Sequence, residues 1–179
     1  MKKAICGILI LINSLLATEL QKLQNLKSFS ADFTQTLTSK EEAKTQVITY
    51  KGKISAKAPQ RVLWEYKSPV PKEIYINSGE MIIYEPKLNQ AIIKRLEENL
   101  DIFSILKKAK KVDSTHFKAK ILDQEYNIII KDGILSEINF IDSLENSVSI
   151  VFSKVQVNIN LNSGIFEYKP SSEVDIIYP

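Results

Sequence analysis

The chain is nearly empty of two side chains on which much protein chemistry depends. Its 179 residues hold one cysteine, Cys6, and one histidine, His116. A zinc-thiolate site needs several cysteines and a Ser-His-Asp relay needs a well-placed imidazole, so scarcity all but removes both. An excess of charge of one sign is also missing. The formal net charge is +3, and setting aside Lys2 and Lys3 leaves 22 basic residues against 21 acidic ones. A nucleic-acid binder would carry a basic face or stripe, so no nucleic-acid partner is expected. Finally, no apolar run reaches the ~20 residues that a membrane-spanning helix requires.

The one long apolar run lies at the start. Met1-Lys2-Lys3 is a charged lead, and Ala4 to Leu16 is an apolar stretch of signal-peptide length. Ala17 suits the last position before cleavage, although Leu15 stands where a small residue is preferred. Residues 1–17 therefore read as a secretory signal peptide and residues 18–179 as one exported domain. Cys6 leaves with the signal, so the mature chain has no thiol for a disulfide or a nucleophile. A content of 44% hydrophobic and 25% charged residues is that of a globular domain.

Along the mature chain the hydrophobic period changes several times. Leu20, Leu23, Leu26 and Phe29 recur every three residues, which predicts a short helix over 19–29. Ala31, Phe33 and Leu37 then alternate, a strand, and residues 39–44 read as a hairpin loop. Strands follow at 47–56 and 61–66, with Val62, Trp64 and Tyr66 on one face. Short β-rich runs at 73–76, 81–84 and 91–94 are separated by turns. Leu100, Phe103, Leu106 and Lys107 fit a second helix, with Asp101 near its start and lysines 107, 108, 110 and 111 at its end, the order that suits the helix dipole. Strands return at 117–122, 125–131 and 134–141, with Asp132-Gly133 as a hairpin turn. Val148, Ile150 and Phe152 alternate, and Val155 and Val157 continue on the opposite parity, which predicts a bulge near Ser153-Lys154. A last strand is expected at 165–169. About 10–11 short strands in series must close or curl to bury one face. The fold class is mainly β: an unclosed antiparallel β-barrel covered by short helices.

Such a shape makes a cavity, and periodicity alone leaves open whether side chains fill it. Val62, Trp64 and Tyr66 suit a cavity wall or an ordinary half-buried strand core. The lysines at 107–111 suit an anionic contact or a solvated helix end. His116 reads as a strand or surface residue. Asp32, Glu65 and Glu73 have no spacing that argues for an acid–base pair.

Four blocks in order carry a family resemblance. They are Phe29-Ser-Ala31-Asp-Phe33-Thr-Gln35 after the first helix; Gly52 with Pro59-Gln60-Arg61-Val62-Leu63-Trp64-Glu65-Tyr66; Asn77-Ser78-Gly79 through Tyr84-Glu85-Pro86; and the tail Val155-Gln-Val157-Asn158, Phe166-Glu-Tyr168-Lys-Pro170, Val174-Asp-Ile176. Together they resemble the LolA family of periplasmic lipoprotein carriers. The resemblance implies a half-barrel whose helical lid covers an apolar cavity for acyl chains. Val62, Trp64, Tyr66, Phe33, Ile150 and Phe152 would line that cavity, and Leu20, Leu23, Leu26, Leu100, Phe103 and Leu106 would form the lid. Acylated lipoproteins would be the cargo, an inner-membrane ABC transporter the donor, and an outer-membrane receptor a further partner. No cofactor and no catalytic or metal residue is implied, and the carrier is expected to be a monomer. Members carry an Arg immediately before the proline that matches Pro59, bonded to lid backbone in the closed form. This chain has Ala58 there, with Lys57 one residue off and Arg61 on the opposite parity. A lipid- or lipoprotein-sensing periplasmic domain of the same half-barrel type is the alternative reading.

Overall fold

The computed structural model describes residues 20–41, 44–96 and 101–179. A helical turn at 20–24 (α1) precedes strands β1 (Ser28–Glu41), β2 (Lys44–Lys57), β3 (Arg61–Ser68), β4 (Lys72–Asn77), β5 (Glu80–Glu85) and β6 (Gln90–Arg95). Helix α2 (Ile102–Lys108) leads to β7 (Lys110–Lys111), β8 (His116–Ile121), β9 (Gln124–Lys131), β10 (Ile134–Ile141) and β11 (Ser147–Val157). A 3-10 turn at Ser163–Phe166 and β12 (Asp175–Ile177) end the chain. The strands form one twelve-stranded sheet in the order β12-β6-β5-β4-β3-β2-β1-β11-β10-β9-β8-β7. Every pairing is antiparallel except β12 with β6. The two outermost strands do not pair with each other, so the sheet is curled but unclosed.

Strand periodicity of two separates the faces. On β8 the burial strictly alternates, with Phe117, Ala119 and Ile121 inward. The register aligns these with Ile128 and Tyr126 on β9, Ile138 on β10, Ile150 and Phe152 on β11, and Phe33, Ala31 and Phe29 on β1. The concave face thus holds a continuous core, to which Leu23 and Leu26 contribute from the N-terminal end and Ile102, Phe103, Ile105 and Leu106 from α2. The expected bulge is present: the β1–β11 register slips between Ser30 and Asp32, opposite Gln156 and Ser153, and Lys154 has φ 51°. Asp132 and Gly133, at φ 52° and 72°, form the expected tight turn.

Several expectations are corrected. The helix at the start covers only 20–24 of the described residues; Leu26 follows it, and Phe29 is already in β1. Of the expected loop at 39–44, residues 39–41 and 44 are in paired strands, because β1 and β2 stay paired to Glu41 and Lys44, and residues 42 and 43 lie outside the described residues. Lys110 and Lys111 belong to β7, not to the helix end. Residues 165–169 form no strand. The Asn162 side chain accepts the Gly164 N–H at 2.9 Å, tightening the chain into the 3-10 turn that seats Phe166, 1% exposed, against β3 and β4. This tail covers the convex face, where Leu63 is buried and Tyr168 packs against Tyr75 and Tyr84 at 5.5 and 5.3 Å between ring centres. The Lys57 ammonium ties it down by donating to the Leu161 carbonyl and the Ser163 hydroxyl, both at 3.0 Å. The strand count is twelve rather than 10–11, because β7 and β12 are two and three residues long.

Candidate functional site

A cavity of about 240 Å³ lies between the concave face and α2. Its sheet wall runs from Met81 on β5 through Ile74, Ile76, Trp64 and Tyr66 to Ile150, Ile138, Phe140 and Tyr126, and its roof is Asp101, Ile102 and Ile105. The curl of the sheet brings β5 and β9, far apart in strand order, to one space. Ile102 and Ile105 reach it because α2 is apolar over most of its surface, with one flank facing the cavity and Phe103 and Leu106 buried on others.

The wall is fixed by an aromatic layer. Phe33 meets Trp64 and Tyr66 edge-on, each at 5.0 Å between ring centres, and Phe152 meets Phe29 edge-on at 5.5 Å. Such pairs contribute about 0.5–1.5 kcal/mol each beyond their buried area. Gly52, the cross-strand partner of both Phe33 and Tyr66, makes the layer possible. A Cβ there would collide with the Glu65 carbonyl and lie 2.7 Å from the Phe33 ring.

Polar groups stand at the margins. The Tyr66 hydroxyl donates to Gln35 Oε1 at 2.8 Å, and burial pushes its pKa up to about 12. The Lys72 ammonium lies over the Tyr66 ring at 4.6 Å and the Tyr50 ring at 5.5 Å; burial lowers its pKa. Asp101, 5% exposed, caps α2: one carboxylate oxygen accepts the Ser104 N–H at 2.7 Å, and the Ser104 hydroxyl accepts the Asp101 N–H at 3.0 Å. Burial is the main influence on its carboxyl and raises its pKa.

Of the residues the sequence nominated for the wall, Trp64, Tyr66 and Ile150 line the cavity. Phe33 and Phe152 stand behind Trp64 in the aromatic layer, and Val62, 1% exposed, lies in the packed core. Of the nominated lid residues, Leu20 is partly buried against the core, while Leu23, Leu26, Phe103 and Leu106 are within it; Leu100 lies outside the described residues. Sequence reasoning missed Ile74, Ile76, Met81, Tyr126, Ile138 and Phe140 as wall residues. The available signal was register: Ile74 and Ile76 face Trp64 and Val62 across the β3–β4 hairpin.

No Arg-type latch is present at residue 58. The Ala58 N–H donates to the Lys27 carbonyl at 2.9 Å, Lys57 points to the tail, and the helices meet instead through Gln24. Its side-chain amide donates to the Lys107 and Ala109 carbonyls at 3.4 and 3.3 Å, closing the C-terminal end of α2 onto α1.

Catalytic groupings are weak throughout. His116 is exposed and held in a turn by Asp113, whose carboxylate accepts the His116 and Thr115 N–H groups at 2.9 Å and pairs with the ring Nδ1 at the same distance. These bonds hold the Asp113 pKa down to about 2. Contrary to expectation, Glu65 and Glu73 are cross-strand partners, but Glu73 accepts the Tyr75 hydroxyl at 2.6 Å on the convex side, away from the cavity. Among the described residues no group of three His, Cys, Asp or Glu side chains is placed to hold a metal.

Comparison with known proteins gives a consistent picture. The family model described as "Outer membrane lipoprotein carrier protein LolA" matches residues 24–128. An outer-membrane lipoprotein carrier protein of Helicobacter pylori (strain HPAG1) is 42% identical over 165 residues, covering 92% of this chain and 87% of that protein. One from Campylobacter jejuni is 32% identical over 177 residues, covering 99% of both. Among solved structures, an uncharacterized conserved protein from Thermus thermophilus superimposes with a TM-score of 0.54 at 11% identity, over 93% of this chain and 99% of that one, a likeness of fold alone. With the family model spanning most of the domain and relatives of this identity matched nearly end to end, the chain belongs to the LolA family of outer membrane lipoprotein carrier proteins.

Proposed function

We propose that this protein is a non-enzymatic periplasmic carrier that shields the acyl chains of lipoproteins between the inner and outer membranes. The observation that carries the reading is the cavity beneath α2, in which Asp101 is the only charged lining residue among those described. An exposed acyl chain costs about 0.8 kcal/mol per CH₂ in water, so an acylated protein needs an apolar shelter to cross an aqueous space. At about 240 Å³ the cavity is smaller than the ~300–1,000 Å³ of common ligand sites. The described form is therefore the closed one, and loading displaces α2. That helix is short, seven residues; its Asp101 cap is internal to it, and among the described residues the side chain that ties it to another element is Gln24. Trp64, Tyr66 and Ile150 act as wall, Phe33, Phe152 and Val62 as its backing, and the two helices as the lid.

Residues 1–17 serve as the export signal and residues 18–179 as the carrier domain, working as a monomer without a cofactor. An inner-membrane ABC transporter supplies the energy for loading, and the outer membrane or a receptor in it takes the cargo. The test is mass spectrometry of an organic extract of the protein purified from cells, combined with capture of its membrane partners. Bound acyl species together with a lipoprotein-releasing transporter support a carrier. Acyl species with only a signalling partner would make it a sensor, and an empty extract with no transporter would overturn the reading.

A further inference from the structure

The sheet covers β2 along its whole length on one side and only in part on the other. β1 pairs with it from Lys44 to Lys57, whereas β3 meets it only from Lys51 onward. β3 ends at Ser68, and Pro69 and Pro71 then carry the chain on with no N–H to offer a ladder. Among the described residues, the seven at 44–50 are therefore paired strand on one side and open edge on the other. Residues 44–49 are exposed, with Val47 at 60% and Ile48 at 38%. Their run Thr45-Gln46-Val47-Ile48-Thr49 is rich in β-branched residues and holds no proline and no charge. Sheets ordinarily guard their edges by shortness, bulges or charge. Here the outermost strands β7 and β12 are two and three residues long. The other long one-sided run, residues 152–157 of β11, is broken by the bulge at Lys154. The edge at 44–50 is neither short nor bulged, and Lys44 stands only at its end.

We propose that residues 44–50 take up the first residues of a cargo polypeptide as an added antiparallel strand, leading the peptide away from its acyl chains in the cavity; this rests on the carrier reading. The inner end of the edge adjoins that space. Tyr50 meets Tyr66 edge-on at 5.8 Å between ring centres, and Tyr66 lines the cavity. Period two puts Ile48 and Tyr50 on the concave side, opposite Leu37 and Gln35 of β1. A peptide whose acylated first residue sits beside Tyr66 thus reaches the edge at Tyr50, and about six further residues at about 3.3 Å each carry it past Lys44. Leaving in that direction it runs opposite to β2, the antiparallel sense, which is slightly the more stable pairing. Continuity with the cavity selects this occupant over a second copy of the chain, for which the cavity would have no role. A strand edge also binds main-chain N–H and C=O groups, so it grips peptides of differing sequence. Such a grip suits a carrier that recognises the acyl group rather than the protein attached to it.

The test changes the ligand and leaves the fold alone. The protein purified from cells is titrated with palmitoyl-glycinamide, with palmitoyl peptides of about six Ser, Thr and Gly residues in two different orders, and with one of these peptides N-methylated at every amide. Both plain peptides are expected to bind about tenfold tighter than palmitoyl-glycinamide, the gain from a few main-chain hydrogen bonds. The N-methylated peptide should lose that gain, because it has no N–H to donate. Amide exchange at residues 44–50 should slow about tenfold with the plain peptides and stay within about twofold with palmitoyl-glycinamide. Plain peptides that bind no tighter than palmitoyl-glycinamide, or an N-methylated peptide that binds as tightly as its parent, overturn the proposal. So does slow exchange at 44–50 without ligand that tracks a dimer as protein concentration rises, which would assign the edge to a second copy. Palmitoyl-glycinamide that fails to bind removes the carrier reading and this inference with it, whereas palmitoyl-glycinamide that binds while the peptide adds nothing removes this inference alone.

Discussion

Val62 and Ile76 are cross-strand partners on the same concave face, yet they differ in what they touch. Val62 is sealed in the core, while Ile76 borders the cavity and is half-buried. A carboxylate at the first site has no route to water, and an unpaired buried charge costs several kcal/mol. Val62→Glu is therefore expected to abolish a cooperative thermal transition. Ile76→Glu, reached by water from the cavity, should keep the transition and lose acyl-probe uptake. A Val62→Glu protein that melts like the parent would place that residue on the cavity wall after all. Parity along β3 made the shared face legible in the sequence, but depth depends on what lies across the sheet, and no run of eight residues carries that. Asp101 gives a second residue-scale expectation. Its pKa is raised by burial, so the folded state holds the proton more readily than the unfolded chain. The resulting stability is fully present below the ordinary carboxylate range and is lost as pH rises through the raised value. Asp101→Asn keeps a capping acceptor without the charge, so denaturant melts should show a smaller gain on acidification than the parent's, whereas Asp101→Ala should lose the cap, about 1 kcal/mol at neutral pH, and fall further behind the parent on acidification. An unchanged acid response in the Asn variant would assign the effect to another group.

Among the elements, α2 is held at both ends by side chains that the sequence showed unevenly. Asp101 was legible as a helix start, because an acidic residue stood just before an apolar run. Gln24 was not, since nothing local links a glutamine in α1 to carbonyls more than eighty positions later. Its two bonds are long, and together they contribute about 1 kcal/mol. Gln24→Ala should therefore speed amide exchange in α2 by roughly fivefold and lower global stability by about 1 kcal/mol. Ala58→Arg, in contrast, should leave exchange in α2 within about twofold, because the carbonyls that end the helix already accept from Gln24. Slower exchange would mean that the helix ends still accept a second donor. The helix-like spacing that continued to Phe29 misled for a related reason. The last turn of α1 tightens, with Asn25 and Leu26 donating to Lys22 and Leu23, and pairing with both β2 and β11 then draws Phe29 into β1.

For the whole molecule, the sequence made the antiparallel series of strands legible, because alternation and turn residues are local. It did not reveal the second apolar layer on the convex side. There the tail seats Phe166 and lays β12 parallel to β6. A three-residue strand has no period to read, and its partner is supplied only by the finished sheet. Phe166→Ala should cost about 3–5 kcal/mol, lowering the melting temperature by on the order of 10 °C. Acyl-probe affinity below the transition should be unchanged, since the cavity lies on the other face. Loss of affinity with an unaltered melting temperature would mean that the tail reports on the cavity rather than bracing the sheet.

The position of β1 in the middle of the sheet has a kinetic consequence. Phe29 lies opposite Ala56 on one side and Val157 on the other. The first pairing is a local hairpin that forms as soon as β2 exists, whereas the second closes a loop on the order of 100 residues and carries the entropy of that closure. A chain that emerges from its N-terminus therefore makes its central hairpin early and completes the centre of its sheet almost last. Until residue 157 arrives, one edge of β1 keeps its amides and carbonyls free and its apolar face half covered. This is the interval in which such a chain is most open to pairing with a neighbour, and in which a helper that masks strand edges would have most to do.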